Sequence, residues 1–246
     1  MCAVYKAGMV LLSPLCRLDQ RATVGHTISM ADKLSRLMGA FMSSSVVARN
    51  MREPGRGMLG RLARGMMERN NRLSAQDAAR RLEIAAGQCV VELGPGSGWA
   101  WPEICAAHPA RLVGVEVSER FRRELAQLAP SLPLDPEIHG VDAVDMSEFL
   151  DDGSVDRLLA MNVVYFLNPL PAYAAELARV LKPGARGLLA GKFRAVASAQ
   201  PEIFVNTDPD VIGECFTAAG FSVRSEQVDL GSPARSYTAL HLERKG

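Results

Sequence analysis

Residues 89–99, Cys-Val-Val-Glu-Leu-Gly-Pro-Gly-Ser-Gly-Trp, constrain the fold more than any other part of the chain. Cys89, Val90 and Val91 make a short apolar run of the kind that a central parallel strand buries. Gly94, Gly96 and Gly98 follow at every second position, which leaves the backbone free to turn sharply and to lie close against a ligand. Glu92 stands in the last turn of that strand, where a carboxylate can accept from a cationic or hydroxyl-bearing ligand. A dinucleotide loop needs G-x-G-x-x-G, whose third glycine lets helix and strand pack closely. Trp99 occupies that third place. The loop suits a nucleoside carrying a positive charge better than one carrying a pyrophosphate.

The rest of the chain alternates. Strands are predicted at Gln88–Leu93, Arg111–Val117, Glu137–Val141, Val155–Met161 and Gly187–Phe193, then at Phe221–Val228 and Tyr237–Leu242. Helices are predicted at Ala75–Leu82 with Ser74 as cap, Trp101–Ala107, Glu119–Leu128 and Pro171–Leu181, the last stopped by Lys182-Pro183-Gly184. A further helix starts at Asp208-Pro209 and ends before Gly220. Repeated strand–helix units require crossovers of one hand and yield an α/β, doubly wound, mostly parallel seven-stranded sheet. No helix separates the last two strands, so they form an antiparallel edge.

Suitable side chains fall at the carboxyl ends of the strands, where open α/β sheets take ligands. Glu116, followed by Val117, ends the second and can accept from both hydroxyls of a ribose. Asp142-Ala143 follows the third, with Asp145 as the neighbouring alternative. Asn162 ends the fourth, with Tyr165 three residues on.

Together Glu92-x-Gly94-x-Gly96-x-Gly98, Glu116, Gly140-Val141-Asp142-Ala143 and Asn162 resemble the motifs of the class I S-adenosylmethionine-dependent methyltransferases, in particular the type 11 domain group of small-molecule enzymes. The resemblance covers approximately Gly57 to Leu242. It implies a Rossmann-like sheet with an antiparallel last strand and S-adenosyl-L-methionine as cofactor. Glu92 would lie near its methionine part, and Gly94, Pro95, Gly96, Ser97 and Gly98 under the ribose and carboxypropyl arm. Glu116 would fix the ribose and Asp142 the adenine, with Val117 and Ala143 also at the cofactor, and Asn162 would mark the boundary with the acceptor, where Tyr165 could touch substrate. Two departures stand out: Val141 intervenes between glycine and aspartate, and Asn162-Val163-Val164-Tyr165 lacks the paired prolines of enzymes that methylate exocyclic or amide nitrogens in DNA or proteins. A small-molecule acceptor is therefore expected, with no catalytic base nominated.

Composition narrows the alternatives. Hydrophobic residues make up 48% and charged residues 22%, so a packed core is expected. A net charge of +1 makes no general case for nucleic acid. Up to Arg72, however, twelve Lys/Arg face four acids, which keeps an RNA or protein methyltransferase, or a partner-docking module that binds the cofactor without catalysis, in view. Five scattered cysteines without a C-x-x-C pair argue for a reducing, cytoplasmic setting and against a metal site. The four histidines are equally dispersed, and His139, in the third strand, reads as core. No apolar run is long enough to span a membrane.

Three units are expected: an irregular extension over 1–30, which also has the composition of a weak organelle-targeting segment; a helical lid or cap over 31–73; and the cofactor-binding domain over 74–246. In the lid, Met58, Leu59, Leu62, Met66 and Met67 gather opposite Arg56, Arg61, Arg64 and Arg69.

Overall fold

The computed structural model describes residues 58–197 and 201–246, with side chains from Arg69 onward. The expectations for residues 1–30 and for the 31–57 part of the lid lie outside the described residues, as do the side chains of 58–68.

A helix, α1 (Met58–Arg81), leads into β1 (Cys89–Leu93). There follow α2 (Trp101–Ala106), β2 (Arg111–Val115), α3 (Glu119–Leu128), β3 (Glu137–His139) and β4 (Val155–Met161). Then come α4 (Leu170–Val180), β5 (Leu181–Gly191), the short α5 (Phe193–Val196), α6 (Pro209–Ala218), β6 (Phe221–Val228) and β7 (Tyr237–Arg244). The strands form one sheet in the order β3-β2-β1-β4-β5-β7-β6. The first five are parallel, and β7 lies antiparallel between β5 and β6. The sequence-based architecture therefore holds, with a Rossmann-like sheet whose last strand alone runs the other way.

Alternation along each strand sends side chains to two faces. Val91, Val113, Leu158, Leu189 and Leu240 meet Tyr173, Ala174 and Leu177 of α4 and Ile212 and Phe216 of α6. Val90, Leu112, Leu159, Leu188 and Ala239 meet Ala75, Ala78, Ala79 and Leu82 of or just beyond α1, together with Trp101, Ile104 and Leu125. Glu92 shares the second face, which brings its carboxyl to the Trp101 side of the sheet.

Three local expectations are corrected. Ser74 does not cap a new helix: α1 runs unbroken through 58–81 because nothing between Asn70 and Leu73 interrupts it. The Ser74 hydroxyl is buried and lies near Asn70 O at 2.9 Å and Arg235 O at 2.6 Å, tying the helix to the turn between β6 and β7. The boundary placed at 73/74 thus falls inside a helix. Lys182-Pro183-Gly184 does not separate α4 from β5; it lies within β5 as a bulge, and the register with β4 jumps from Val155↔Leu181 to Arg157↔Arg186. Lys182 Nζ reaches Asp156 Oδ1 at 2.7 Å and pins the bulge. Finally, His139 is not core: about a quarter of its side chain is exposed, with its ring stacked 3.7 Å from that of Phe149.

Asp208 caps α6 as expected, its carboxylate accepting the Asp210 N–H at 2.9 Å with Pro209 at the first helical position. Asp208→Ala should cost about 1 kcal/mol, while Leu177→Ala, in the interior, should cost roughly 2–5 kcal/mol. Urea unfolding checks both, and a surface cap as costly as the core leucine would contradict this account.

Candidate functional site

Strand order reverses between β1 and β4, and the carboxyl ends of β1, β2, β4 and β5 open there on one edge. The loop after β1 turns through three left-handed glycines, Gly94, Gly96 and Gly98, with φ of 57°, 56° and 72°. Two are confined by packing: a Cβ on Gly94 would lie 2.5 Å from Val163 Cγ2, and one on Gly98 would lie 2.6 Å from Leu128 and 2.9 Å from Leu125. Gly96 differs, since nothing stands within 4 Å of its Cβ position. The loop faces open space at that point. Pro95 is buried beneath it, and Ser97 Oγ donates to Glu124 Oε2 at 2.8 Å, which fastens the loop to α3.

Glu116, one residue past β2, is 5% exposed. Its Oε2 accepts the Gly96 N–H at 3.0 Å and its Oε1 the Ser118 N–H at 2.8 Å. Burial raises its pKa, and the two N–H groups oppose that rise. Each oxygen keeps a lone pair for a further donor, which suits two adjacent ribose hydroxyls. The Arg122 guanidinium holds this corner, donating to Glu116 O at 2.9 Å and Val117 O at 2.8 Å. Val117 is 65% exposed, an apolar surface free to lie against a flat ring.

Because β3 ends at His139 and not Val141, Asp142 sits three residues past the strand. It is exposed, its Oδ1 accepting the Val144 N–H at 3.3 Å, with Ala143 buried beside it; Asp145 is exposed as well. Asn162 occupies the left-handed region at φ 59°, where asparagine is tolerated better than most residues. Its N–H donates to Ala190 O at 2.7 Å and its Oδ1 accepts from Tyr165 Oη at 3.3 Å. Tyr165 is almost wholly buried, accepts the Lys192 main-chain N–H, and packs edge-on against Phe193 and Phe166. The expected substrate contact is thus corrected: Tyr165 supports Asn162 from below and ties the ends of β4 and β5 together.

Glu92 has the most unusual surroundings. It is 3% exposed, its Oε2 has no hydrogen-bond partner, and the Nε1 of the fully buried Trp101 also has none. Burial pushes its pKa up to about 8; the nearby Trp101 indole opposes this and Glu116 adds to it. A buried carboxyl with an unpartnered oxygen is costly unless something arrives to pair with it.

Sequence reading missed a second group. Lys192 follows β5 directly, and its Nζ donates to Asn71 Oδ1 at 2.8 Å and Ala234 O at 2.6 Å. Burial lowers its pKa to about 8. Arg72 lies over the Trp99 ring at 5.3 Å, and Arg235 Nε donates to Asn70 Oδ1 at 3.3 Å. Three successive residues of α1 therefore touch the hairpin turn, the end of β5 and the glycine loop. The signal was available in the strand-end rule, but the fifth strand was expected to run to Phe193, which left Lys192 inside it.

Residues 91–189 match the family model described as a methyltransferase domain. An O-methyltransferase of Aspergillus nomiae is 27% identical over 129 residues, covering 52% of this chain and 57% of the relative. The chain thus spans less than two thirds of that curated relative's length. Among solved structures, the complex between the Haloferax volcanii Trm112 methyltransferase activator and the putative methyltransferase matches with a TM-score of 0.62 at 23% identity, over 74% of this chain and 93% of that one. A SAM-dependent methyltransferase from Aquifex aeolicus matches with a TM-score of 0.56 at 18% identity, over 69% and 88%. These likenesses establish the fold.

With a folded-state pKa near 8 against an ordinary value of 4.5, Glu92 keeps its proton where the unfolded chain has lost it. Its contribution to stability therefore declines as pH rises from about 4.5 to about 8. Glu92→Gln should raise the Tm of the unliganded protein, with a gain that grows between pH 5 and pH 8. Calorimetry at both values tests this; a pH-independent gain would contradict the burial of a charge.

Proposed function

We infer that this chain, which belongs to the class I S-adenosylmethionine-dependent methyltransferases, transfers the methyl group of S-adenosylmethionine to a small organic acceptor. The observation that carries this is Glu92, a buried carboxyl with an unpartnered oxygen, beside a glycine loop that is open at Gly96. These residues fit the cofactor: a cationic amino acid end for Glu92, a backbone cradle at 94–98, a ribose diol for Glu116 and an adenine for Val117 and Asp142.

When bound, the cofactor supplies a sulfonium-activated methyl that needs a nucleophile in line with the S–CH3 bond. The chain's own task is then orientation and exclusion of water, worth roughly 7–11 kcal/mol when the geometry is well held. Glu116 is held in advance by the N–H groups of Gly96 and Ser118, so little freedom remains to be lost on binding. Asn162, fixed by Tyr165 and by Ala190 O, would stand between cofactor and acceptor. The 31–73 segment and residues 193–207 would shape the acceptor pocket. An oxygen acceptor is supported by the O-methyltransferase relative. A small acceptor is supported by the lack of prolines after Asn162.

Both tryptophans of the chain, Trp99 and Trp101, border the loop, so emission should report S-adenosylhomocysteine binding directly. Gly96→Arg should abolish binding, and Glu116→Ala should weaken it about tenfold or more. Affinity for S-adenosylmethionine should rise from pH 6 toward pH 8 as Glu92 loses its proton, and Glu92→Gln should flatten that profile. No binding, or binding indifferent to these changes, would defeat the reading. Labelled cofactor offered with a metabolite extract then identifies the acceptor.

A further inference from the structure

Lys192 Nζ, with three donors, uses two on Asn71 Oδ1 and Ala234 O and keeps one uncommitted. The next residue of the hairpin turn is Arg235, whose guanidinium meets Asn70 Oδ1 through Nε alone. On the other side of the same helical turn, the Arg72 guanidinium rests on the face of Trp99. Thr238 pairs with Gly191, so the turn and Lys192 share one end of the sheet. Among the described residues every partner of these three cations is neutral: two side-chain amides, a carbonyl and an indole.

Several other cations of this chain pair with acids, while Arg122, Arg157 and Arg244 spend their donors on main-chain carbonyls. Arg81 takes Asp77 and Glu226, Arg111 takes Glu137, and Arg179 takes Asp152 and Glu176. None of Lys192, Arg235 and Arg72 takes part in an ion pair among the described residues. The nearby carboxylates are engaged: Asp229 holds Gly231 N and Ser236 Oγ, and Asp77 holds Arg81 and Tyr237. Glu92 and Glu116 belong to the ends of β1 and β2. The strand-end edge is therefore polarised, with Glu92 and Glu116 at β1 and β2 and Lys192 and Arg235 beyond β5, and Arg72 reaches back from α1 to Trp99.

We propose that Lys192, Arg235 and Arg72 form an anion-recognition subsite that takes a carboxylate or phosphate carried by the methyl acceptor. Asn70 and Asn71 hold the cations in place without neutralising them, so a charged oxygen finds donors already positioned. Recognition of an acid would orient the acceptor's other end toward Asn162. The link to methyl transfer rests on the function proposed above; anion binding itself does not.

The test is calorimetric titration of the protein, saturated with S-adenosylhomocysteine, with benzoate, phenyl phosphate and the neutral probe benzamide. Either anion should bind at least about tenfold more tightly than benzamide, and the preference should weaken with salt. The benzoate and phenyl phosphate arms distinguish carboxylate from phosphate. Lys192→Met and Arg235→Gln should each erase most of the preference, Lys192→Arg should retain it, and S-adenosylhomocysteine affinity should change less than about twofold in all three. Asn71→Ala, which cuts the structural tie but keeps the ammonium, should weaken the preference less than Lys192→Met does. Equal binding of anions and benzamide, or a preference that survives both charge-removing variants, would overturn the proposal. Failure of S-adenosylhomocysteine to bind, with anion preference intact in the unliganded protein, would instead defeat the methyltransferase reading alone.

Discussion

A carboxyl group withdrawn from water at the exit of the central strand is the constraint around which this molecule is arranged. Glu92 lies among Trp101, Gly114 and the glycine loop, and the lack of a side chain at Gly114 is what admits the indole, since a Cβ there would lie 2.7 Å from Trp101 Cζ2. The neighbouring strand supplies a second acid, Glu116, whose Oε2 accepts the Gly96 N–H of the loop and whose Oε1 accepts the Ser118 N–H. A chain selected for stability alone would fill this space with apolar side chains. Retaining an acid there leaves an oxygen that no described residue satisfies, and the proposed cofactor would meet that demand.

That demand sets direction across the crevice. Under the proposed function a cationic nucleoside would be drawn to the ends of β1 and β2, while Lys192 and Arg235 lie beyond β5. Between them stands Asn162, held in an uncommon backbone conformation by Ala190 and Tyr165. Opposed charge at the two ends would favour one orientation of a bound pair over its reverse, without either end acting on the reacting atoms.

Local chemistry made most of the framework readable beforehand. The apolar runs of β1 and β4, the Asp208-Pro209 start of α6 and the missing helix between β6 and β7 depend on neighbours close in sequence, and each appears where expected. What escaped depends on distant partners. Ser74 resembles a cap until Arg235, far along the chain, supplies an acceptor for its hydroxyl. Lys182-Pro183-Gly184 resembles a stop until Asp156 anchors it as a bulge. Tyr165 sits at a strand end as a ligand contact would, yet the aromatic rings of Phe166, Phe193 and Phe204 enclose it. Lys192 was hidden by an error of two residues in one strand boundary, which is enough to move a side chain from a strand interior to the rim beyond the strand.

The position of β7 has a consequence for how the protein is made. Tyr237–Arg244 leaves the ribosome after both of its partners, yet it lies between β5 and β6 and pairs with both. Until it emerges, β5 presents an open hydrogen-bonding edge and β6 has no strand neighbour among the described residues. The nascent domain must therefore pass through a stage with bare strand edges, the condition under which chains join to one another, and it escapes only when the eight residues of β7 slide between their partners.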